Sequence, residues 1–188
     1  MQKSKPYLTP EEYLKMERVA EAKGEYYKGE IFAFAGASFN HNKIAANVLG
    51  ELTAALKNTQ CFALTSDMRV WAADVEFSAY PDATVVCGEP EFHDEHKDWL
   101  TNPLVIIEVL SKSTGKYDQE EKFRLYRSLA SFKEYVLIDQ YSVYVQQFWK
   151  TAEDEWKLKL YEKLSDVVAF KTIAAEVSLK DIYRKVEF

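Results

Sequence analysis

Residues 102–139 have the sequence NPLVIIEVLSKSTGKYDQEEKFRLYRSLASFKEYVLID. After Pro103 comes an apolar run, residues 104–110, which is interrupted by a single charge, Glu108. Because successive side chains of a strand point to opposite faces, both faces of this run are apolar apart from Glu108. Strands buried on both faces have this pattern and lie in the middle of a sheet. A carboxylate there is unfavourable unless it is paired, protonated or bound to a metal, so Glu108 is a candidate functional residue.

Size and composition limit the possibilities. The 188 residues favour one domain, residues 1–188, and the 47% hydrophobic and 29% charged content is typical of a soluble globular protein. A formal net charge of −6 argues against tight, non-specific binding to nucleic acid, although a local basic patch remains possible. No apolar run approaches the roughly 18 residues needed to span a bilayer, so no membrane association is expected.

Cys61 and Cys87 both lie in apolar stretches. Since no signal peptide is visible, we expect buried free thiols in a cytoplasmic protein. A disulfide between two strands is the less favoured alternative.

The N-terminal third predicts two helices and a hairpin. A capping box that begins at Thr9 starts the first helix, and we expect Gly24 to end it. Lys28-Gly29 predicts the turn of a hairpin over residues 25–35. Residues 38–58 predict an amphipathic helix with the apolar stripe Ile44, Val48, Leu52 and Leu56.

The rest of the chain predicts strands with few helices. A second helix-start pattern, Asp118-x-x-Glu121, follows the buried strand and predicts a helix from about Asp118. Together these elements predict a mixed α/β fold, with helices on a central mixed sheet and extra antiparallel strands. Further strands are expected at residues 61–73, 81–87, 134–139, 141–149 and 156–162, a long acidic connector at 88–102, and a terminal helix at 178–183.

Three residues form the candidate site. Asp82 follows Pro81 at the start of one strand, Glu108 lies in the next, and Lys122 lies on the helix that follows. Two carboxylates that face one side of a sheet repel each other, and a hard divalent cation relieves this repulsion. A metal-polarised phosphate and a lysine that stabilises the developing charge together suit phosphodiester hydrolysis.

This arrangement resembles the PD-(D/E)XK nuclease superfamily, and more closely the Uma family of putative restriction endonucleases. The resemblance implies a restriction-endonuclease-like fold, a nucleic acid substrate, expected to be DNA, and Mg²⁺ or Mn²⁺ as cofactor. It rests on blocks spread over most of the chain, namely Gly29-Glu30-Ile31, residues 35–38 (AGAS), 40–42 (NHN), 66–70 (SDMRV), Tyr80-Pro81-Asp82, 108–114 (EVLSKST), Tyr117-Asp118, Glu121-Lys122-Phe123, Tyr126 and 134–139 (EYVLID).

The chain departs from the superfamily pattern at one position. Leu110 stands two residues after Glu108, where the superfamily lysine is expected. Lys122 is the candidate replacement, and Lys112 and Lys116 are weaker ones. If none reaches the site, the protein is a nuclease fold without nuclease activity, which would make it a binding or assembly module.

Each site residue also has an ordinary structural explanation. Glu108 can be half of a buried ion pair, Asp82 a turn residue after proline, and Lys122 an i, i+4 partner of Asp118. The resemblance implies that Asp82 and Glu108 hold the metal and that Lys122 acts on the attacking water or the transition state.

Three more residues are possible additions to the site. Glu30 is a possible third carboxylate and metal ligand, or simply a hairpin residue. Asp67 is a weaker acidic candidate. His41, at the start of the long helix, either contacts substrate or takes part in helix-start hydrogen bonding. His93 and His96 fall in the acidic connector, which we expect to be a solvated loop.

Aromatic residues are abundant. Those that alternate along strands are expected to be core or dimer surface rather than base-stacking platforms, namely Phe32, Phe34, Tyr144, Phe148 and Trp149. Exposed aromatics in the C-terminal strands would favour a homodimer, and the candidates are Tyr141, Tyr144, Phe148, Trp149 and Trp156.

Overall fold

Two packed β-sheets form the framework of the protein. A computed structural model describes residues 7–33, 36–112, 114–152 and 155–188. The helices are α1 (Pro10–Glu17), α2 (Phe39–Leu56), α3 (Gly115–Tyr117), α4 (Phe123–Tyr126) and α5 (Leu179–Ile182). The strands are β1 (Gly24–Tyr27), β2 (Glu30–Ala33), β3 (Cys61–Thr65), β4 (Arg69–Ala72), β5 (Phe77–Ala79), β6 (Ala83–Cys87), β7 (Trp99–Leu100), β8 (Val105–Leu110), β9 (Glu134–Asp139), β10 (Val145–Ala152), β11 (Glu155–Tyr161), β12 (Val167–Ala169) and β13 (Glu176–Ser178).

The larger sheet is built around β8. Its strand order over the described residues is β11-β10-β9-β8-β6-β3, with β8 parallel to β9 and antiparallel to β6. Every residue of β8 is buried, which confirms the central strand expected from the apolar run. The sheet is mixed, as the sequence predicts.

Different layers cover the two faces of this sheet. The stripe of α2 packs on one face, against Val85, Val105, Ile107 and Val109 of β6 and β8. The second sheet, of order β2-β1-β5-β4-β7, packs on the other face, where Ile106 and Leu110 meet Val70 and Phe77. Glu108 alternates with Ile106 and Leu110, so its side chain lies in the layer between the sheets.

Helix α2 forms as predicted. Its four stripe residues are buried, and the Ser38 side chain caps its start by accepting a hydrogen bond from the His41 backbone N–H at 3.1 Å. The hairpin turn is also confirmed, since Lys28 and Gly29 both have positive φ, 45° and 86°. That backbone suits the twist of two antiparallel strands.

Helix α1 has the expected capping box but ends early. The Thr9 side chain accepts from the Glu12 backbone, and the Glu12 side chain accepts from the Thr9 backbone. The prediction that the helix continues to Gly24 is wrong. The helix ends at Glu17, Gly24 is already the first residue of β1, and Val19, between them, is 83% exposed and packs on nothing in the described structure that would continue the helix.

The strand expected over residues 61–73 is two strands in different sheets. A turn at Ser66-Asp67 separates β3, in the larger sheet, from β4, in the smaller one. Strands β5, β12 and β13 were not predicted from the sequence. The acidic connector contains β7, because Trp99 is fully buried and donates its indole N–H to Ser78 Oγ at 2.8 Å.

The prediction of free, buried cysteines is wrong for this structure. Strands β3 and β6 pair so that Cys61 lies directly opposite Cys87, with their Cα atoms 3.9 Å apart, and a disulfide joins them. Both residues are half-buried at the end of the strand pair. In the part of the chain that the structure describes, no helix has the length and apolar character to cross a bilayer.

The aromatic residues of the C-terminal strands are less exposed than expected. Phe148 and Trp156 are half-buried and pack around Phe123, with ring centroids 4.9 Å and 5.1 Å away. Tyr141, by contrast, is 48% exposed. The expected surface of exposed aromatics is therefore largely occupied by packing within the chain.

The position of Leu52 between α2 and the larger sheet leads to a stability prediction. Leu52→Ala should lower the free energy of unfolding by about 2–5 kcal/mol, because the side chain is fully buried and truncation leaves a cavity. Leu158→Ala is the matched control, since Leu158 is 50% exposed, and should change it by less than about 0.5 kcal/mol. Urea denaturation measures both, and equal effects would contradict the layer arrangement.

Candidate active site

A pocket of about 580 Å³ opens where the two sheets meet the start of α2. Glu25 and Phe32 of the smaller sheet form one wall, and Glu108 of β8 lies on another. Asp82, just before β6, and Lys122 complete the polar lining. The pocket therefore combines residues that are far apart in the sequence.

A lysine lies at the centre of three carboxylates in this pocket. Lys122 Nζ is 2.6 Å from Glu25 Oε1, 3.2 Å from Glu108 Oε1 and 3.2 Å from Asp118 Oδ1. All four side chains are buried, and Lys122 is only 3% exposed. The Tyr126 hydroxyl also donates to Glu108 Oε1 at 3.2 Å. We call Lys122, Glu25, Glu108 and Asp118 the charge cluster.

A widened helical turn supplies two members of the cluster. Residues 115–126 are continuously helical, but the turn Asp118–Lys122 has the i→i+5 hydrogen bonding of a π-helix. Such turns interrupt α-helices frequently at functional sites. The expected capping box at Asp118 is wrong, because Asp118 lies within this helical stretch and its carboxylate contacts Lys122 instead.

Burial has the largest effect on the protonation of the cluster, and the charges of its members add to this effect or oppose it. Burial raises the pKa of Glu108 well above its usual value, Lys122 acts against this, and Asp118, Asp82 and Glu25 add to it. Burial also raises the pKa of Glu25, against the opposing charge of Lys122. For Lys122 burial acts to lower the pKa, but Glu108, Glu25 and Asp118 outweigh it and raise the pKa well above the usual value. The lysine is therefore a permanent cation at neutral pH.

Two oxygens of the cluster contact Lys122 as ion pairs. Glu25 Oε1 and Asp118 Oδ1 are fully buried, and both are within ion-pair distance of the ammonium. A buried carboxylate oxygen is costly unless it is paired, so both oxygens depend on the charge of Lys122.

Asp82 is held beside the cluster by two contacts. Its Oδ2 accepts the Val109 backbone N–H at 2.7 Å and lies 3.2 Å from His41 Nε2. For His41 burial acts to lower the pKa, but the hydrogen bond and charge of Asp82 outweigh it, so the pKa is raised. The charge of Asp82 also contributes to the raised pKa of Glu108, which places both carboxylates in one electrostatic environment.

Gln140 fixes the start of α2 against the end of β8. Its side-chain amide donates to the Leu110 carbonyl at 2.8 Å, and its carbonyl accepts from the Ser38 hydroxyl. Since Ser38 also caps α2, this link orients the first turn, from which His41 reaches Asp82. His41 therefore takes part both in helix-start hydrogen bonding and in the pocket.

The structure places the three lysine candidates differently. Leu110 is buried in the apolar layer between the sheets, and Lys122 contacts Glu108 from the neighbouring helical stretch. Lys112 is exposed and lines the pocket, whereas Lys116 is exposed and is not among the lining residues. Lys122 also forms the i, i+4 ion pair with Asp118 that its ordinary structural explanation predicted, but this pair is part of a buried cluster rather than a surface pair.

Two possible site residues lie outside the pocket. Glu30 is exposed on β2, and Asp67 is exposed in the turn before β4, where it pairs with Lys23 at 2.6 Å. Sequence reasoning missed Glu25 and the role of Asp118 as a charged lining residue. The available signal was Glu25 at the start of a strand whose next residues are apolar, together with the i, i+4 spacing of Asp118 and Lys122.

Removing the ammonium should destabilise the protein in a pH-dependent way. We expect Lys122→Met to lower the free energy of unfolding by about 3–5 kcal/mol at pH 8, because three carboxylates then stay buried without a counter-ion. Glu108 and Glu25 have raised pKa values in the folded protein. Their contribution to the free energy of unfolding is therefore complete below the pKa of the unfolded chain, near 4.5, and is lost as the pH rises through their folded-state pKa. The deficit relative to the wild type should therefore shrink between pH 8 and pH 5.

Urea denaturation in EDTA at the two pH values measures this deficit. Lys116→Met is the matched control, because Lys116 is an exposed lysine of the same helical stretch, and should change stability by less than about 0.5 kcal/mol. A deficit that stays constant with pH would mean that the carboxylates do not carry the effect.

Known proteins resemble this chain over most of its length. A family model described as Uma2, putative restriction endonuclease, matches residues 10–180. Two uncharacterized proteins of Synechocystis sp. are similar: sll1609 is 40% identical over 151 residues, 80% of this chain and 85% of that protein, and slr1290 is 31% identical over 183 residues, 97% and 95%.

A solved structure shares the fold. The crystal structure of a putative nuclease belonging to DUF820 from Anabaena variabilis has a TM-score of 0.76 and 18% identity, and the match covers 94% of this chain and 97% of that one. The likeness confirms the expected restriction-endonuclease-like α/β fold, and the family match confirms the expected family. The chain belongs to the Uma2 family of putative restriction endonucleases.

Proposed function

We propose that this protein is a metal-dependent endonuclease that hydrolyses phosphodiester bonds of DNA in the pocket that holds the charge cluster. Membership of a restriction-endonuclease family supports a nuclease function. One observation carries the proposal for this chain: a buried, cationic Lys122 contacts Glu108 although the strand has Leu110 where a lysine was expected.

The donor set suits a hard cation. Four carboxylates line the described part of the pocket, and carboxylate oxygen is the ligand type that Mg²⁺ and Mn²⁺ prefer. No group of three or more His, Cys, Asp or Glu residues within the described ranges is arranged as a ready metal site. Mg²⁺ needs only one or two carboxylates, because water and substrate phosphate supply its other ligands. Asp82 and Glu108 would hold the ion, which supplies Lewis-acid polarisation of the phosphate and a more acidic water.

Lys122 has a defined role in this proposal. Because its pKa is raised, it stays protonated and cannot act as a general base. Its ammonium instead donates hydrogen bonds to the attacking water or to the phosphoryl oxygens on which negative charge accumulates. In the reaction the water oxygen forms a bond to phosphorus and gives up a proton, the bond from phosphorus to a sugar oxygen breaks, and that oxygen takes up a proton. Glu108 orients Lys122, and the Val109 N–H and His41 orient Asp82.

Substitution of the two proposed metal ligands tests the proposal. Asp82→Asn and Glu108→Gln should each lower Mg²⁺-dependent cleavage of DNA, supplied both as duplex and as single strand, by more than about 10³-fold, because the ion loses a charged ligand. Glu30→Gln is the control, since Glu30 lies outside the pocket, and it should cleave at the wild-type rate. Cleavage that survives both site substitutions would rule out this site.

The lysine has its own kinetic prediction. Lys122→Met should lower kcat by about 10²–10³-fold at pH 5.5–6, where the variant is expected to be folded, since one donor to the transition state is lost. Circular dichroism confirms folding in the same buffer, and Lys116→Met is the control. Full activity of a folded Lys122→Met protein would remove Lys122 from the mechanism.

The rival function is a nuclease-fold binding or assembly module without catalysis. The observation that favours it is the close pairing of Lys122 with Glu25, which satisfies part of the cluster without a metal. Titration calorimetry with Mn²⁺ separates the two: the nuclease binds Mn²⁺ and loses this binding in Glu108→Gln, whereas the module binds none. A homodimer and a cytoplasmic location remain predictions from the sequence.

A further inference from the structure

The mouth of the pocket carries two exposed aromatic rings. Tyr141 is 48% exposed and Phe32 is 47% exposed, and both line the pocket. They come from different walls, Tyr141 from the loop between β9 and β10, and Phe32 from edge strand β2. Phe32 was expected to be core or dimer surface, but in this structure its ring is available to a ligand in the pocket.

Tyr141 is held in place by contacts with the loop after β8. The Lys112 backbone N–H donates to the Tyr141 hydroxyl at 3.3 Å, and the Lys112 ammonium lies 5.2 Å from the ring centroid. The Tyr141 backbone N–H donates to Asp139 Oδ1 at 2.6 Å. Because β8 and β9 are parallel, their carboxyl ends lie at one edge of the sheet, and this edge brings the ring beside the lysine. A stacking surface and a phosphate-binding cation are thus adjacent.

The charges of the pocket do not suit a duplex backbone. Tight duplex binding depends on several lysines and arginines that neutralise phosphates. The described lining has four carboxylates, and its two lysines are exposed Lys112 and buried Lys122. Base stacking on aromatic rings needs no such array of cations and does not depend on sequence. Inside a duplex both faces of a base are covered by its neighbours, so stacking on these rings favours an unstacked base in a single strand or an extruded nucleotide.

We infer that the pocket takes an unpaired nucleotide, and that Tyr141 and Phe32 stack on bases next to the phosphate that is cut while Lys112 contacts a neighbouring phosphate. This inference rests on the proposed function and narrows its substrate to single-stranded segments, flaps or extruded nucleotides. The shared chemistry is an unstacked base on a phosphodiester chain, which both DNA and RNA provide.

Fluorescence anisotropy tests the inference with the full chain. A labelled 12-nucleotide single strand, as DNA and as RNA, is compared with a blunt hairpin duplex of the same composition, in Ca²⁺. The wild type should bind a single strand more tightly than the duplex. Tyr141→Ala and Phe32→Ala should each weaken single-strand binding by roughly 5- to 150-fold, the range for loss of one base–aromatic stack. Tyr141→Phe, which keeps the ring, should stay within about twofold of wild type.

Two controls separate stacking from general effects. Tyr7→Ala removes an exposed aromatic ring (56% exposed) that packs at the turn end of the β1–β2 hairpin, outside the pocket lining, and should leave binding unchanged. In a second control, a single abasic nucleotide is placed at each position of the strand in turn. Wild-type binding should weaken when the missing base is the one that stacks on Tyr141, whereas the same abasic strand should cause no further loss of binding in Tyr141→Ala.

The inference is overturned by tighter binding of the duplex, or by single-strand binding that Tyr141→Ala and Phe32→Ala leave within twofold of wild type. The proposed function is judged separately, by cleavage. Duplex cleavage that Glu108→Gln abolishes would leave the nuclease standing while removing its preference for unpaired nucleotides.

Discussion

The buried ammonium of Lys122 is the interaction on which the site depends. It contacts carboxylates from β1, from β8 and from its own helical stretch, so it links both sheets and the helical stretch between β8 and β9. Three buried carboxylates without it would repel each other in a region of low dielectric. One cation does not neutralise three acids, and burial, with the neighbouring carboxylates adding to it, raises the pKa values of Glu108 and Glu25.

This imbalance connects stability to chemistry. Burial of a charge cluster is unfavourable compared with an apolar core, so such clusters are weak evidence for stability. Perturbed pKa values of buried groups in a pocket are, by contrast, frequent at functional sites. Here the negative excess faces a pocket rather than the closed core.

The surrounding scaffold places these charges with few degrees of freedom. Glu108 lies on a central strand, whose backbone is fixed by partners on both sides. Gln140 ties the start of α2 to the end of β8, and the π-turn brings Asp118 and Lys122 to the pocket. The outer rim differs in character, because Tyr141 and Phe32 expose their rings there. The buried charges and the exposed rings thus occupy different depths of the same pocket.

The sequence by itself determined the elements that depend on local patterns. The buried strand around Glu108, the capping box of α1, the stripe of α2 and the turn at Lys28-Gly29 follow from periodicity, caps and positive φ, which involve residues close in the chain. The order of Asp82, Glu108 and Lys122 on two strands and the following helix predicted a shared site, and the family resemblance suggested that Lys122 replaces the lysine missing at position 110.

Only the tertiary structure decided which long-range neighbours complete the site. Glu25 and Glu30 belong to the same hairpin, and no local pattern says which of them faces the pocket; the packing of the smaller sheet on β8 decides this. The same holds for Cys61 and Cys87, which meet through strand register, and for residues 61–73, which divide between two sheets. Register and sheet packing join residues distant in sequence, so the identity of a residue does not reveal its partner.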